Sequence, residues 1–350
     1  MIRVGIAGCG SIVKLRHAPE YAANKNAEIG GFYDIDIERV NEFAKEFGGV
    51  VYRTYDEMLS DKTLDAISIC TANKYHSSMT IQALRAGKHV LCEKPMAMSE
   101  KEAVDMVNAA KETGLTLMIG HNQRLLPAHK LAKELLEEGM IGAPLTFHTI
   151  FSHAGPEAWS VDKSNGTWFF RKGAAGFGSL ADLGVHKIDI IRWLLDSEVT
   201  KVTAMTSALH KRNDEGNLID VDDNSITILT MENGVIGSII TSWTNYGEED
   251  NSTVIYGTQG VMEIFTDPVY SIKIFLKTGE KKYYKAGTIQ TNTNQTNSGV
   301  IDLFVKKLIE HTKTEISGED ALQIMKIVYA IEESSKLQKT VTLNESGGVK

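Results

Sequence analysis

Along the first third of the chain, short apolar runs alternate with segments of helical period. Arg3–Ala7, Ala27–Tyr33, Val50–Tyr52, Ala66–Cys70, His89–Cys92 and Leu115–Gly120 read as strands. Between them Ser11–Ala23 (which carries Pro19), Ile37–Phe47, Tyr55–Ser60, Ser77–Ala86 and Ser99–Thr113 read as helices. Ser99 with Glu102 three residues on forms a capping box, and Gly87 and Gly114 stand where helices end. Such alternation predicts a parallel sheet with helices on both faces.

After about residue 120 the period changes. Leu126–Glu138 predicts a helix. Two-periodic stretches follow at Pro144–Ser152, Val199–Ala208, Asn224–Met231, Val235–Ser242, Thr253–Tyr256, Val261–Phe265, Ser271–Leu276 and Lys281–Tyr284. Glu232-Asn233-Gly234 and Thr278-Gly279-Glu280 read as hairpin turns. One helix, Ser179–Leu195, interrupts the series; Gly299–Thr312 and Glu319–Leu337 close it. The fold expected is an α/β domain over residues 1–121 and, over 122–350, an α+β domain with a large open, mainly antiparallel sheet. Thr288–Ser298 is the most loop-like stretch.

Composition narrows the function classes. Of 350 residues 42% are hydrophobic, enough for two packed cores, and the net charge of -8 comes without a basic stripe that would favour nucleic acid. Met1–Ile6 runs straight into a strand pattern, without the basic and apolar regions of a signal peptide, and no apolar run is long enough for a membrane span. Cys9, Cys70 and Cys92 match no zinc spacing and read as buried free thiols of a reducing, cytoplasmic compartment.

The first chemical signal is Gly8-Cys9-Gly10, between the first strand and a helix that begins Ser11-Ile12. The first glycine permits the tight turn. The second lets a pyrophosphate approach the helix N-terminus and its partial positive charge. Val13 stands where the fingerprint has its third small residue. Asp34 ends the second strand, where a carboxylate accepts both adenosine ribose hydroxyls and repels a 2′-phosphate; Ile35 follows in place of an Arg or Ser. The cofactor expected is NAD, not NADP, in a Rossmann domain.

A second stretch, Ala83-Leu84-Arg85-Ala86-Gly87-Lys88-His89-Val90-Leu91-Cys92-Glu93-Lys94-Pro95, closely resembles the signature of the Gfo/Idh/MocA oxidoreductases. Thr71-Ala72-Asn73 with His76 resembles that family's Thr-Pro-Asn-x-x-His loop, with Ala72 in place of Pro. Gly120-His121-Asn122-Gln123-Arg124 resembles the opening of its second domain, Asp182 and His186 its Asp-x-x-x-His helix, and Ile316–Ala321 its C-terminal segment. The resemblance implies hydride transfer between a nicotinamide and a carbon of a sugar or cyclitol, in a homo-oligomer (a dimer or tetramer) built through the large sheet. It also implies cofactor contacts from Thr71, Ala72, Asn73, His76, Glu93, Lys94 and Asn122.

Oxidising a secondary alcohol removes a hydride from carbon and a proton from oxygen. Lys94 follows a strand C-terminus, the side on which an open α/β sheet binds its ligand. Asp182 and His186, at i and i+4 on a helix, are expected to meet on one face, so that the carboxylate orients the imidazole. The resemblance makes His186 the acid/base, tuned by Asp182 and Lys94; whether His186 or Lys94 takes the proton first stays open. Arg124 is a candidate for substrate hydroxyls or the cofactor, Trp168 for the pocket wall or for core, and Tyr256 for a lesser substrate contact. His17 is expected to pack. A metal centre would rest on His186, Asp189, His148 and His153 without a supporting Cys/His framework, and none is expected. Two other functions stay open: redox-neutral cleavage of a glycoside on bound NAD, and a non-catalytic NAD sensor.

Overall fold

The computed structural model describes residues 1–161, 163–289 and 297–343. Strands β1 (Ile2–Ala7), β2 (Ala27–Tyr33), β3 (Val50–Val51), β4 (Ala66–Ile69), β5 (His89–Cys92) and β6 (Leu117–Ile119) form a parallel sheet in the order β3-β2-β1-β4-β5-β6. Ile6 and Ile67 have no exposed surface, as expected of strands covered by helices on both faces. Sequence order reverses beside β1, which opens a crevice above the C-terminal strand ends.

The helices follow the sequence signals closely. Ser99 Oγ accepts the Glu102 N–H at 3.3 Å, and a Glu102 carboxylate oxygen accepts the Ser99 N–H at 3.1 Å, closing the expected capping box. The expected helix over Ser11–Ala23 forms with one irregularity: Val13–His17 is π-helical, and the Ala18 N–H reaches back to the Val13 carbonyl. Pro19 has no N–H for the Leu15 carbonyl and its ring clashes there, which favours the wider turn. Val13 is fully buried, in one core cluster with Tyr21 of the same helix and Ile6 of β1.

The second sheet has nine strands: β7 (Pro144–Ser152), β8 (Val199–Ser207), β9 (Asn224–Met231), β10 (Ile236–Ser242), β11 (Thr253–Gly257), β12 (Gly260–Ile264), β13 (Ile272–Leu276), β14 (Lys281–Tyr284) and β15 (Val341–Thr342). It is antiparallel except for β7 beside β10. Both expected turns close hairpins: Gly234 and Gly279 have φ of 86° and 90°, conformations suited to glycine. β15, two residues long, gave no periodic signal. Most of the loop expected at Thr288–Ser298 falls outside the described residues.

Helices Pro127–Glu137, Val185–Leu195 and Gly318–Leu337 pack on one face of this sheet. The last also meets helix Glu100–Thr113 and β6, and Phe304 of helix Val300–Glu310 is buried with Val4 and Ile6. The chain therefore returns to the first sheet after crossing the second, and joins the two sheets on either side of one crevice.

Candidate active site

A cleft of about 690 Å³ runs from the C-terminal ends of the first sheet to the buried end of β7. Gly8, Gly10, Ser11, Ile12, Asp34, Ile35, Thr71, Ala72, Asn73, His76, Glu93, Lys94, Asn122, Trp168, Asp182 and His186 all line it. Three contacts span its walls: Asn73 Nδ2 donates to the Ala175 carbonyl at 2.9 Å, Ser11 Oγ to the Trp159 carbonyl at 3.4 Å, and Lys94 Nζ to Asp182.

At one end the backbone is shaped for a dinucleotide. Gly8 has φ 97°, and a Cβ there would stand 2.5 Å from the Cys70 carbonyl oxygen, so β1 and β4 approach this closely only with glycine. A Cβ on Gly10 would meet nothing within 4 Å, so open space lies where a pyrophosphate would approach the helix start. Asp34 is fixed: one carboxylate oxygen accepts the Cys9 N–H at 2.6 Å and the other the Asp36 N–H at 2.9 Å. Ile35 beside it is 87% exposed. His76 reaches the cleft wall but is 1% exposed, with its two ring nitrogens 2.8 Å from the Pro95 carbonyl and 2.9 Å from the Thr71 carbonyl; it fastens two loops together. These residues fit NAD.

At the other end charges converge. Glu93 meets His17 Nε2 at 2.8 Å and Arg16 at 3.8 Å. Burial pushes its carboxyl up, but the His17 hydrogen bond and the charges of His17, Arg16 and Lys94 prevail and hold it at about 2. Lys94, whose peptide bond to Pro95 is cis, donates to Asp182 Oδ1 at 2.9 Å and to the Asp182 main-chain oxygen at 2.8 Å. Trp243, fully buried, donates from Nε1 to Asp182 Oδ2 at 3.2 Å. Burial raises the Asp182 carboxyl, yet the charge of Lys94 and these hydrogen bonds hold it below the usual carboxylate range. His186 is driven well below the ordinary imidazole range, first by burial and then by the charge of Lys94, so it is neutral near pH 7. Its Nδ1 has no partner within the protein.

Two expectations need correction. Asp182 and His186 do not pair: both Asp182 carboxylate oxygens are held by other groups, Oδ1 by Lys94 and Oδ2 by Trp243. Leu180–Gly184 is π-helical. Arg124 does not reach the cleft. It is 8% exposed and bridges Asp189 and Asp320, each at 2.6 Å, because a buried guanidinium takes the nearest carboxylates. Tyr256 and His148 meet at a tilt on the outer face of the second sheet, away from the cleft. Among the described residues no group of three His, Cys, Asp or Glu side chains could hold a metal ion.

The structure adds His153, which the sequence offered only for a metal. Its Nε2 is 4.0 Å from Asp182 Oδ2, and its Nδ1 accepts the Gly155 N–H at 2.9 Å, so the ring proton sits on Nε2 and faces the cleft. The signal available was the alternation Phe147, Thr149, Phe151, which extends to His153 on the same buried face. Trp159, Trp168 and Phe169 form an aromatic wall, with ring centroids 5.1 and 3.9 Å apart.

A cofactor crevice at the switch point of a parallel sheet, completed by charged groups from a second domain, defines a dinucleotide-dependent oxidoreductase. Residues 2–121 match the oxidoreductase family with an NAD-binding Rossmann fold, and residues 129–263 match the GFO/IDH/MocA C-terminal domain. The chain belongs to this family. It is 34% identical to a levoglucosan dehydrogenase of Pseudarthrobacter phenanthrenivorans over 58% of its length, an alignment that spans only 56% of that relative. Myo-inositol 2-dehydrogenase of Thermotoga maritima is 25% identical over 98% of this chain and 99% of its own. A solved levoglucosan dehydrogenase in complex with NADH and levoglucosan superposes with a TM-score of 0.86 at 26% identity, covering 98% of this chain and 99% of that one. No helix among the described residues is long and apolar enough to cross a membrane.

Proposed function

We propose that the protein is an NAD-dependent dehydrogenase that oxidises a secondary hydroxyl of a sugar, glycoside or cyclitol. One observation carries this reading: the Lys94 ammonium, tied to Asp182 at 2.9 Å, shares a buried cleft with a neutral His186 whose Nδ1 has no hydrogen-bond partner within the protein. Residues 1–121 hold NAD through Gly8, Gly10, Ser11, Asp34 and Glu93, and residues 122–350 supply His186, Asp182 and the aromatic wall. NAD, when bound, supplies the hydride acceptor.

The side chains do the rest. Lys94 uses two donors on Asp182, which leaves its third to orient and polarise the substrate oxygen. His186, neutral, accepts the hydroxyl proton. Asp182 offsets the charge that Lys94 brings into the cleft, and Trp243 holds the second carboxylate oxygen in place. The Nε2–H of His153 and the faces of Trp159 and Trp168 suit a polyol, which presents hydroxyls at its rim and C–H bonds on its flat side.

A screen of NAD reduction over inositols, hexoses, sugar phosphates and glucosides tests the reading. Oxidation of none of them, or cleavage of a glucoside with no net NADH, rejects it. The same assay tests the cofactor: Asp34→Ser with Ile35→Arg is expected to shift the kcat/KM ratio at least about tenfold from NAD towards NADP. An unchanged ratio means the adenosine ribose binds elsewhere.

The outer face of the second sheet supports a homo-oligomer. Met205, Ile226, Ile228 and Ile236 are 76%, 58%, 50% and 49% exposed, and Met205 lies opposite Ile226, which lies opposite Ile240. Such a band on a flat sheet face is suited to a second copy of the same face. Ile226→Lys with Ile228→Lys is expected to yield monomers by light scattering; an unchanged mass places the interface elsewhere.

A further inference from the structure

The helical segment that carries Asp182 and His186 has no cap of its own. Ser179, at the N-cap position, makes no capping hydrogen bond to the segment. The amides of a first turn need acceptors, and Ser179, Leu180 and Ala181 are buried from water. One residue in the loop between β8 and β9 meets those of Gly178, Ser179 and Leu180. Asp222 Oδ1 accepts the Gly178 N–H at 2.9 Å, and its main-chain oxygen accepts the Ser179 N–H at 2.8 Å. Its Oδ2 accepts both the Leu180 N–H and the Ser179 hydroxyl at 2.8 Å. Three consecutive amides are thus held by one aspartate from across the chain. The contact is so close that a Cβ on Gly178 would lie 1.8 Å from the Asp222 carbonyl oxygen.

The next turn is built on this one. The Asp182 N–H donates to the Gly178 carbonyl at 3.0 Å, so the rotation of the first turn sets the direction of the Asp182 side chain. The partner of that side chain is anchored in the same loop: the Trp243 N–H donates to the Asp223 carbonyl at 2.8 Å, and its indole holds Asp182 Oδ2. Asp222 itself does not line the cleft.

We propose that Asp222 is a positioning residue of the active site: as a cap supplied from another part of the fold, it fixes the rotation of the Gly178–Gly184 turn so that Asp182 faces Lys94 and Trp243. The proposal rests on the dehydrogenase reading for its kinetic test only. Asp222→Asn keeps the shape but puts a donor where an acceptor is needed. With kcat expressed per NADH-binding site from fluorescence titration, it is expected to fall about tenfold, the scale of a displaced catalytic group. KM for NAD is expected to stay within about twofold of wild type. The isotope effect on kcat, with the substrate deuterated at the oxidised carbon, is expected to rise as hydride transfer becomes more limiting.

A merely structural role would lower the thermal midpoint and the number of binding sites, and leave kcat per site and the isotope effect unchanged; that result overturns the proposal. Ser179→Ala removes one of the four bonds and keeps the main-chain contacts, so it serves where Asp222→Asn does not fold. A fall of about threefold with the raised isotope effect is expected, and wild-type values in Ser179→Ala overturn the proposal. Should the wild type oxidise no polyol, the functional reading fails first and amide exchange decides this one. Exchange over Leu180–Gly184 is then expected to be at least about tenfold faster in Asp222→Asn, or in Ser179→Ala if that is the variant that folds; wild-type exchange overturns the proposal.

Discussion

Alanine in place of Lys94 is expected to lower kcat for polyol oxidation by at least about a hundredfold, the usual scale for losing a group that handles the reacting proton. The structure gives the loss two parts. The substrate oxygen loses its donor, and Asp182 loses the counter-charge 2.9 Å away that lets it stay ionised in a buried site. Lys94→Arg restores the charge but not the compact ammonium between Asp182 Oδ1 and its main-chain oxygen, so little rescue is expected. NADH binding, read by fluorescence, should persist in Lys94→Ala, because Gly8, Gly10 and Asp34 lie at the far end of the cleft. A Lys94→Ala variant with near-normal turnover would mean that the proton leaves by another route.

His186→Ala is expected to cost a similar factor, and its pH dependence separates it from Lys94. Burial and the Lys94 charge lower the imidazole well below its ordinary 6.5, so His186 remains an acceptor below neutrality. The sign follows: oxidation needs neutral His186, and activity is lost only as pH falls through a value well under 6.5. The wild-type kcat/KM profile is therefore expected to stay level from pH 8 through 6.5. Half-loss at 6.5 would mean that the base is a solvated imidazole and not His186. Glu93, held at about 2, stays ionised over that range and adds no step.

Some of the site was legible in the sequence because it is local. Gly8 and Gly10 stand next to a strand end, and the steric demand that selects glycine is written at those positions. Asp34, Lys94 and Thr71 likewise follow strands, and a parallel sheet brings all strand C-termini to one edge. Once the alternation of strands and helices is recognised, their convergence on one crevice follows. Arg124 was legible only as a cation near a domain junction. Its partners Asp189 and Asp320 lie 65 and 196 residues away in the chain, and no local spacing announces them.

Asp182 and His186 show where sequence reasoning stops. Their spacing of four puts them near one face, but it does not say which groups claim the carboxylate, and Lys94 and Trp243 take it. What the turn becomes depends on acceptors supplied by Asp222, on Trp243 at the end of β10 and on Lys94 from the first domain. The sequence by itself determined the two sheets, the NAD crevice and the position of Lys94, because periodicity, caps and glycines act between near neighbours. The resemblance brought Lys94, Asp182 and His186 to one site; only the tertiary structure decided that His153 joins them and which of them touch, because buried charges settle on whatever partners the packing brings within hydrogen-bond reach.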